Sequence, residues 1–348
     1  YEKYWKAVDQ ILENESCSQS SDCDVINRMI SVDCIDFKIN KLSNWFDVGN
    51  VFELEKTRNF FTEEFDVLDK IQENIYFVKD KVIKFFYDSS LVDKRVKRSA
   101  FLKGLVPEID SKTDNFFKYK FTKGNLFSHS VTPVKMKKFL DWCYKNMWEP
   151  SRQEDISKLC RSFYIEKTIS RVDKFLGNEK DFYNLINGHD VPPVSEMLKL
   201  IDERWLCNGK ASLIHGDLIL DNVIETDKSF KLIDWRQDFA GDLRTGDIYY
   251  DLAKLNHNLI FNHQLIKSDN FKVSETGGLI FCDVLCSKNL IDCREVLFDF
   301  IKKNNFDLEK VETLTSLVWI NMSPLHEHPL DKFLFYFGWL QFLMVDLN

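Results

Sequence analysis

The stretch from Leu213 to Trp235 constrains this chain most. An apolar approach leads to His215, Gly216 and Asp217, then come four residues, Asn222, and an alternation that ends at Asp234. Val223 and Ile224 are apolar, Glu225 through Ser229 make a polar turn, and Phe230, Leu232 and Ile233 return as a strand. That pattern predicts a β-hairpin delivering Asp234 beside Asn222. Transfer of a terminal phosphoryl group needs a carboxylate beside the acceptor hydroxyl and oxygen ligands that hold magnesium against the nucleotide phosphates. Asp217, Asn222 and Asp234 supply those three groups. A chance meeting of His, Asp and Asn in a polar loop would account for neither the hairpin nor the second Asp.

With 348 residues, 44% of them hydrophobic, and only 12 Gly and 7 Pro, the chain reads as packed globular protein. A net charge of −8 and a pI near 5.5 give no global reason to bind a polyanion, so nucleic acid is excluded as the main partner. Nine cysteines are scattered without a framework, which points to reduced thiols in a cytoplasmic protein. Cys282, Cys286 and Cys293 have helical spacing and no adjacent His, so they read as small buried residues rather than a zinc site. No apolar run approaches the ~18 residues of a membrane span, and the first thirty residues lack a signal-peptide core. The chain opens at Tyr1 rather than Met, which is the expectation for a piece whose natural N-terminal part lies ahead of it.

Along the chain, residues 1–14 predict a helix, a Ser-rich loop follows, and a second short helix covers Val25–Ile30. Residues 37–51 read as strand and loop around Trp45, Phe46, Asp47, Val48, Gly49 and Asn50, and 51–65 as helix. Residues 75–86 predict a hairpin turning at Lys79 and Asp80, with Lys84 the one charge in the core of its second strand. A lone Lys there is either a snorkelling edge residue or a phosphate-holding lysine. Residues 91–105 form a helix with Arg95, Lys97, Arg98 and Lys103 but no Glu; Glu108 lies just past it. Residues 115–122 are an aromatic strand running to Gly124. Either that strand enters a hinge whose backbone, at Tyr119 and Phe121, faces adenine, or it is a plain core strand. Beyond it the text is mainly helical, with packing helices at 136–147 and 156–176, a loop at Asn187 and Gly188, and aromatic helices from Leu255 to the end. Asp251 is placed to cap a helix or to brace the loop, and capping is preferred. His326, Glu327 and His328 read as a surface loop rather than a metal pair. Trp235, Tyr250 and Trp319 are either core or part of an aromatic wall around a substrate.

The segments HGDLILDN and LIDWRQDF, followed by GDIYYDLAK, resemble the aminoglycoside phosphotransferase and choline kinase superfamily, over roughly residues 71–348. In more detail the chain is similar to a bacterial surface-polysaccharide group of these kinases, in which RSAFLKGLVPEI and NFFKYKFTKG also recur and which often follow a sugar-phosphate or choline-type nucleotidyltransferase. WFDVGN is similar to a pattern near the end of such transferases. The resemblance implies an α+β, two-lobed protein-kinase-like fold: a tail of a nucleotidyltransferase domain over 1–70, a small β-rich lobe and hinge over 71–124, and a helical lobe over 125–348. It implies Asp217 as catalytic base or acceptor-orienting acid, His215 as a brace, and Asn222 and Asp234 as magnesium ligands. Lys84, Tyr119 and Phe121 would serve ATP. Two departures stand out. The helix after Lys84 has no Glu, and no glycine-rich phosphate loop precedes it.

The reading is an ATP- and Mg²⁺-dependent kinase for a hydroxyl of a small metabolite, such as choline, a sugar or a related alcohol, in capsule or lipopolysaccharide assembly. A nucleotidyltransferase is the possible partner. A degenerate nucleotide-binding scaffold and an antibiotic phosphotransferase are the alternatives.

Overall fold

The computed structural model describes residues 2–14, 21–38, 46, 49, 57, 73–149, 152–177 and 184–346. The chain divides into two compact units, Tyr1–Leu68 and Asp69–Asn348. In the first, helices α1 (Glu2–Asn14) and α2 (Asp22–Ser31) pack through Ala7, Val25 and Met29. Apart from Thr57, which is helical, the expected helix at 51–65 lies outside the described residues, as does all of WFDVGN but Phe46 and Gly49.

The second unit begins with an antiparallel sheet of order β1-β2-β4-β3, formed by β1 (Glu73–Val78), β2 (Lys81–Phe86), β3 (Ile109–Lys112) and β4 (Phe116–Lys120). Lys79 turns the first hairpin with φ 57°, and Ile75 pairs with Lys84. Alternation along β2 puts Val82, Lys84 and Phe86 on its buried face. Because β2 is an interior strand, the edge-residue reading of Lys84 is corrected. Helix α3 (Ser89–Phe101) crosses the sheet, capped by Asp88, whose side chain accepts from the Ser90 N–H.

A short strand, β5 (Asn125–Leu126), leads out of the sheet and pairs with β9 (Val223–Glu225), the first arm of the expected hairpin; β10 (Phe230–Leu232) is the second. The exit from the sheet is therefore tied directly to the loop of interest. Gly124 makes this possible, since a Cβ there would lie 2.4 Å from the Glu225 carbonyl oxygen.

The remainder is largely helical, so the α+β layout of a small β-rich part followed by a large helical part is as expected. Its frame is α4 (Pro133–Asn146), α5 (Lys167–Leu176), α6 (Ile248–Ile260), α7 (Lys288–Lys303), α8 (Leu308–Met322) and α9 (Leu330–Asp346). Helix α6 is buried on every side: all its residues from Ile248 to Leu259 are inside. Two expectations for this part are corrected. The loop at Asn187 and Gly188 is the turn of a hairpin, β6 (Asn184–Ile186) and β7 (His189–Val191), and residues 271–284 are not helix but strands β12 (Phe271–Thr276) and β13 (Leu279–Val284). The two remaining strands, β8 (Ala211–Ser212) and β11 (Gly246–Asp247), pair just ahead of the loop and of α6. Cys282 consequently sits in β13 and Cys293 in α7, both buried, rather than on one helix face. No helix among the described residues is long and apolar enough to cross a membrane.

Substituting Gly124 by Ala forces β5 and β9 apart. A loss of about 1 to 3 kcal/mol is expected, the range for overpacking, and urea denaturation monitored by circular dichroism checks it.

Candidate active site

Helix α6 builds the loop. Asp247 sits at its N-terminus and accepts from the N–H of Tyr249 and of Lys210, so the capping role falls to Asp247 and not to Asp251. One turn on, the buried Asp251 accepts from the main-chain N–H groups of His215 (2.9 Å) and Gly216 (2.8 Å) and from Trp148 Nε1 (3.1 Å). Lys254 Nζ lies 2.9 Å from Asp217 Oδ1, and Asn258 accepts from the Leu220 N–H at 2.9 Å. Residues three and four apart share a helix face, so Asp251, Lys254 and Asn258 form one stripe under the loop.

His215 is buried beneath Asp234. The Asp217 N–H donates to its Nδ1 (3.3 Å), so Nε2 carries the proton and donates to the Ile233 carbonyl at 2.9 Å. Burial pushes its pKa down to about 4, with the nearby Asp217 charge opposing. His215 is a neutral spacer between the loop and the hairpin. Gly216 has φ 82°, and a Cβ there would meet Arg236 Cβ at 2.8 Å, so glycine is required for both conformation and clearance.

The sequence-derived residues converge in two linked pairs. Asn222 Nδ2 donates to the Asp217 carbonyl (2.9 Å) and to its Oδ2 (3.3 Å), which leaves the amide oxygen of Asn222 without a donor among the described residues. The Ile233 N–H donates to the Asn222 carbonyl, placing Asp234 alongside. Asp234, at φ 59°, presents Oδ1 to Lys84 Nζ (2.7 Å) and to Arg95 Nη1 (2.6 Å). Glu108, the substitute considered for the missing helix Glu, is exposed. The acid that α3 does carry, Asp93, pairs with Lys112. Toward the site α3 brings cations: Lys94 binds Asp238 at 2.9 Å, and the buried Arg98 donates to the carbonyls of Ile214 (2.7 Å) and Leu243 (3.1 Å).

Tyr119 lies in β4, paired with Val82 on one side and Ile109 on the other, and the Phe121 N–H donates to the Asp80 carbonyl at 2.8 Å. The side chain of Tyr119 is buried, and burial raises its pKa further above the usual phenol value. Trp235 and Trp319 are core, Trp235 donating to the Arg95 carbonyl, whereas Tyr250 lies by Phe163 and Lys167.

Lys254 and Arg95 were not singled out from sequence. The signal for Lys254 was its position three residues after Asp251, on the same face of the helix. For Arg95 there was none, since basic residues on a surface helix are ordinary.

A magnesium ion is held by one or two protein oxygens plus substrate phosphates, and Asn222 with Asp234 fits that donor set. Among the described residues no group of three or more His, Cys, Asp or Glu stands together as a metal cluster, His326 to His328 included.

No protein-family model and no curated protein matches this chain. Among solved structures it is similar to the ternary complex of streptomycin, ATP and APH(2")-IIa, with TM-score 0.45 and 14% identity, covering 86% of this chain and 97% of that one. It is also similar to a choline/ethanolamine kinase family protein from Mesorhizobium loti (TM-score 0.45, 13% identity, 84% and 94%) and to choline kinase from Cryptosporidium parvum (0.42, 13%, 82% and 91%).

The buried His215 contributes stability that is complete above its unfolded pKa of 6.5 and is lost as pH falls toward about 4. The cost of His215→Asn is therefore expected to be greatest near pH 7 and to shrink by about 2 to 4 kcal/mol by pH 4. Urea midpoints of variant and parent across that range check it; a constant difference contradicts a neutral buried imidazole.

Proposed function

We propose that this chain is a small-molecule kinase that transfers the γ-phosphoryl group of ATP to an alcohol. The observation that carries the reading is the coupling of two pairs: Asp217 bonded to Asn222 within one loop, and Asp234, returned by the hairpin, 2.7 Å from Lys84. These are a carboxylate for the acceptor hydroxyl, two oxygen donors for a cation, and a lysine for phosphate, gathered from strand β2, one loop and the end of the hairpin that follows it.

In this reading the acceptor oxygen attacks the terminal phosphorus, the bond to the bridging oxygen of ADP breaks, and the hydroxyl proton passes to Asp217. Asp217 is held on both sides, Oδ1 by Lys254 and Oδ2 by Asn222, so its first duty is to fix the direction of the hydroxyl. A loose transition state asks little of a base. Asn222 and Asp234 would hold Mg²⁺, which supplies charge neutralisation at the phosphates. Lys84 and Arg95 add positive charge on the Asp234 side. What supports a place in capsule or lipopolysaccharide assembly, beside a nucleotidyltransferase, is the motif resemblance alone.

A second reading, nucleotide binding without turnover, has one observation in its favour: Asp234 Oδ1 already carries two cations, so a metal must compete for this carboxylate.

Asp217→Asn is expected to lower ATP-dependent phosphorylation of an alcohol by at least about 100-fold while the fold, followed by circular dichroism, and the nucleotide affinity are kept. Retained turnover overturns the assignment of Asp217. Magnesium-dependent ATP binding by the parent chain, with no product from any alcohol, favours the second reading.

A further inference from the structure

Beyond Lys254, on the Oδ1 side of Asp217, further cations gather that the phosphotransfer reading does not use. The helical run ahead of α5 is π-helical over Arg161–Glu166, a local widening that is frequent at functional sites. It presents Phe163, and Lys167 follows one turn on with Nζ 3.4 Å from the Phe163 ring centroid and 5.9 Å from that of Tyr250. Arg236, two residues after Asp234, places its Cζ 4.8 Å from the same Phe163 centroid, and its stem packs over Gly216 next to Asp217. Arg171, one turn beyond Lys167, donates to the Asn321 carbonyl at 2.8 Å.

Among the described residues no carboxylate lies within ion-pair distance of Lys167, Arg171 or Arg236. Asp238 attracts Lys167, but its carboxylate already holds Lys94; Asp217 holds Lys254. Arg236 Nε is buried without an acceptor. Burial and the mutual repulsion of Arg236, Arg171 and Lys254 hold Lys167 well below the usual lysine range. Cation–π contact with Phe163 offsets only part of the cost of desolvating like charges together. Such a cluster is stabilised by an anion, and its position beside Asp217 is where an acceptor alcohol has to lie.

We propose that the alcohol phosphorylated at Asp217 itself carries an anionic group, a phosphomonoester or a carboxylate, seated among Lys167, Arg171 and Arg236. The proposal rests on the kinase reading and narrows it. The cluster would repel choline or an aminoglycoside and attract a sugar phosphate, a polyol phosphate or a sugar acid.

The test is calorimetric titration of the full chain, saturated with Mg²⁺ and a non-hydrolysable ATP analogue so that the nucleotide phosphate site is filled. The probes are matched sets: glycerol 3-phosphate, glycerate and glycerol; a hexose 6-phosphate, a hexuronate and the free hexose; and choline. At least one anionic member is expected to bind tenfold or more tighter than its neutral counterpart and than choline. Which member does so separates phosphomonoester from carboxylate. Lys167→Met and Arg236→Met should each weaken that binding at least tenfold, and Lys167→Arg should restore most of it, a rescue that a merely structural lysine would not give. Equal or tighter binding of the neutral alcohols or choline, no binding by any anionic probe, or anion binding indifferent to both Met variants overturns the proposal. Affinity for the ATP analogue, measured on the same samples, reports on the kinase reading separately: its absence in the parent chain sinks that reading, whereas its persistence with failed anion binding sinks only this one.

Discussion

Everything in the site depends on one buried carboxylate accepting two consecutive main-chain N–H groups. Asp251 takes the amides of His215 and Gly216, and this fixes the start of the loop to the first turn of α6. Charge-assisted bonds of this kind are strong where water is excluded, but a carboxylate buried there must be fully satisfied. Trp148 Nε1 completes its coordination. Burial still lifts the Asp251 pKa to about 6, which measures how much the enclosed position opposes the charge despite three donors. The helical bulk of the chain is the consequence: a helix carrying such a group has to be covered on all sides. Asn256 bonds to Thr315 of α8 where the two helices meet.

The opposite wall is organised by α3, whose charge is inverted relative to the expected acid. Arg95 reaches Asp234 while Trp235 donates back to the Arg95 carbonyl, and Arg98, three residues on, binds the carbonyls of Ile214 and Leu243. The helix is thereby fastened to both arms of the catalytic stretch. Lys84 then needs no helix acid to position it, because Asp234 itself serves as the partner. Asp234 holds a left-handed backbone conformation, φ 59°, that costs a non-glycine residue free energy. Two cations on its carboxylate and the bond from His215 to the Ile233 carbonyl before it oppose relaxation.

What was legible in the sequence was what local spacing dictates. The hairpin between Asn222 and Asp234 and the strand bearing Lys84 follow from alternation and turn composition. The choice between Asp247 and Asp251 as the cap was not legible, because both precede apolar helical text and only tertiary packing shows which carboxylate faces the loop. Strands β12 and β13 were missed although Gly277 and Gly278 mark their turn, since aromatic residues on either side read equally as helix. The reading of Tyr119 and Phe121 depended on knowing that β4 is an interior strand, a fact of sheet order that no single strand carries. Long-range charge pairs such as Arg95 with Asp234 leave no local trace at all.

Asp217 shows how the two walls meet. One carboxylate oxygen faces Lys254 on α6 and the other faces Asn222 at the entry to the hairpin, so neither oxygen is an unencumbered base. A group held this way has a fixed direction. In the proposed reading that suits phosphoryl transfer through a loose transition state, because in-line placement of the hydroxyl lowers the barrier more than early proton removal does. The cations beyond Lys254 extend the same logic outward. In the proposed reading, positive charge that is costly when like cations are buried together becomes useful when the arriving alcohol brings its own negative charge, holding the molecule at its far end while Asp217 aims the reacting hydroxyl.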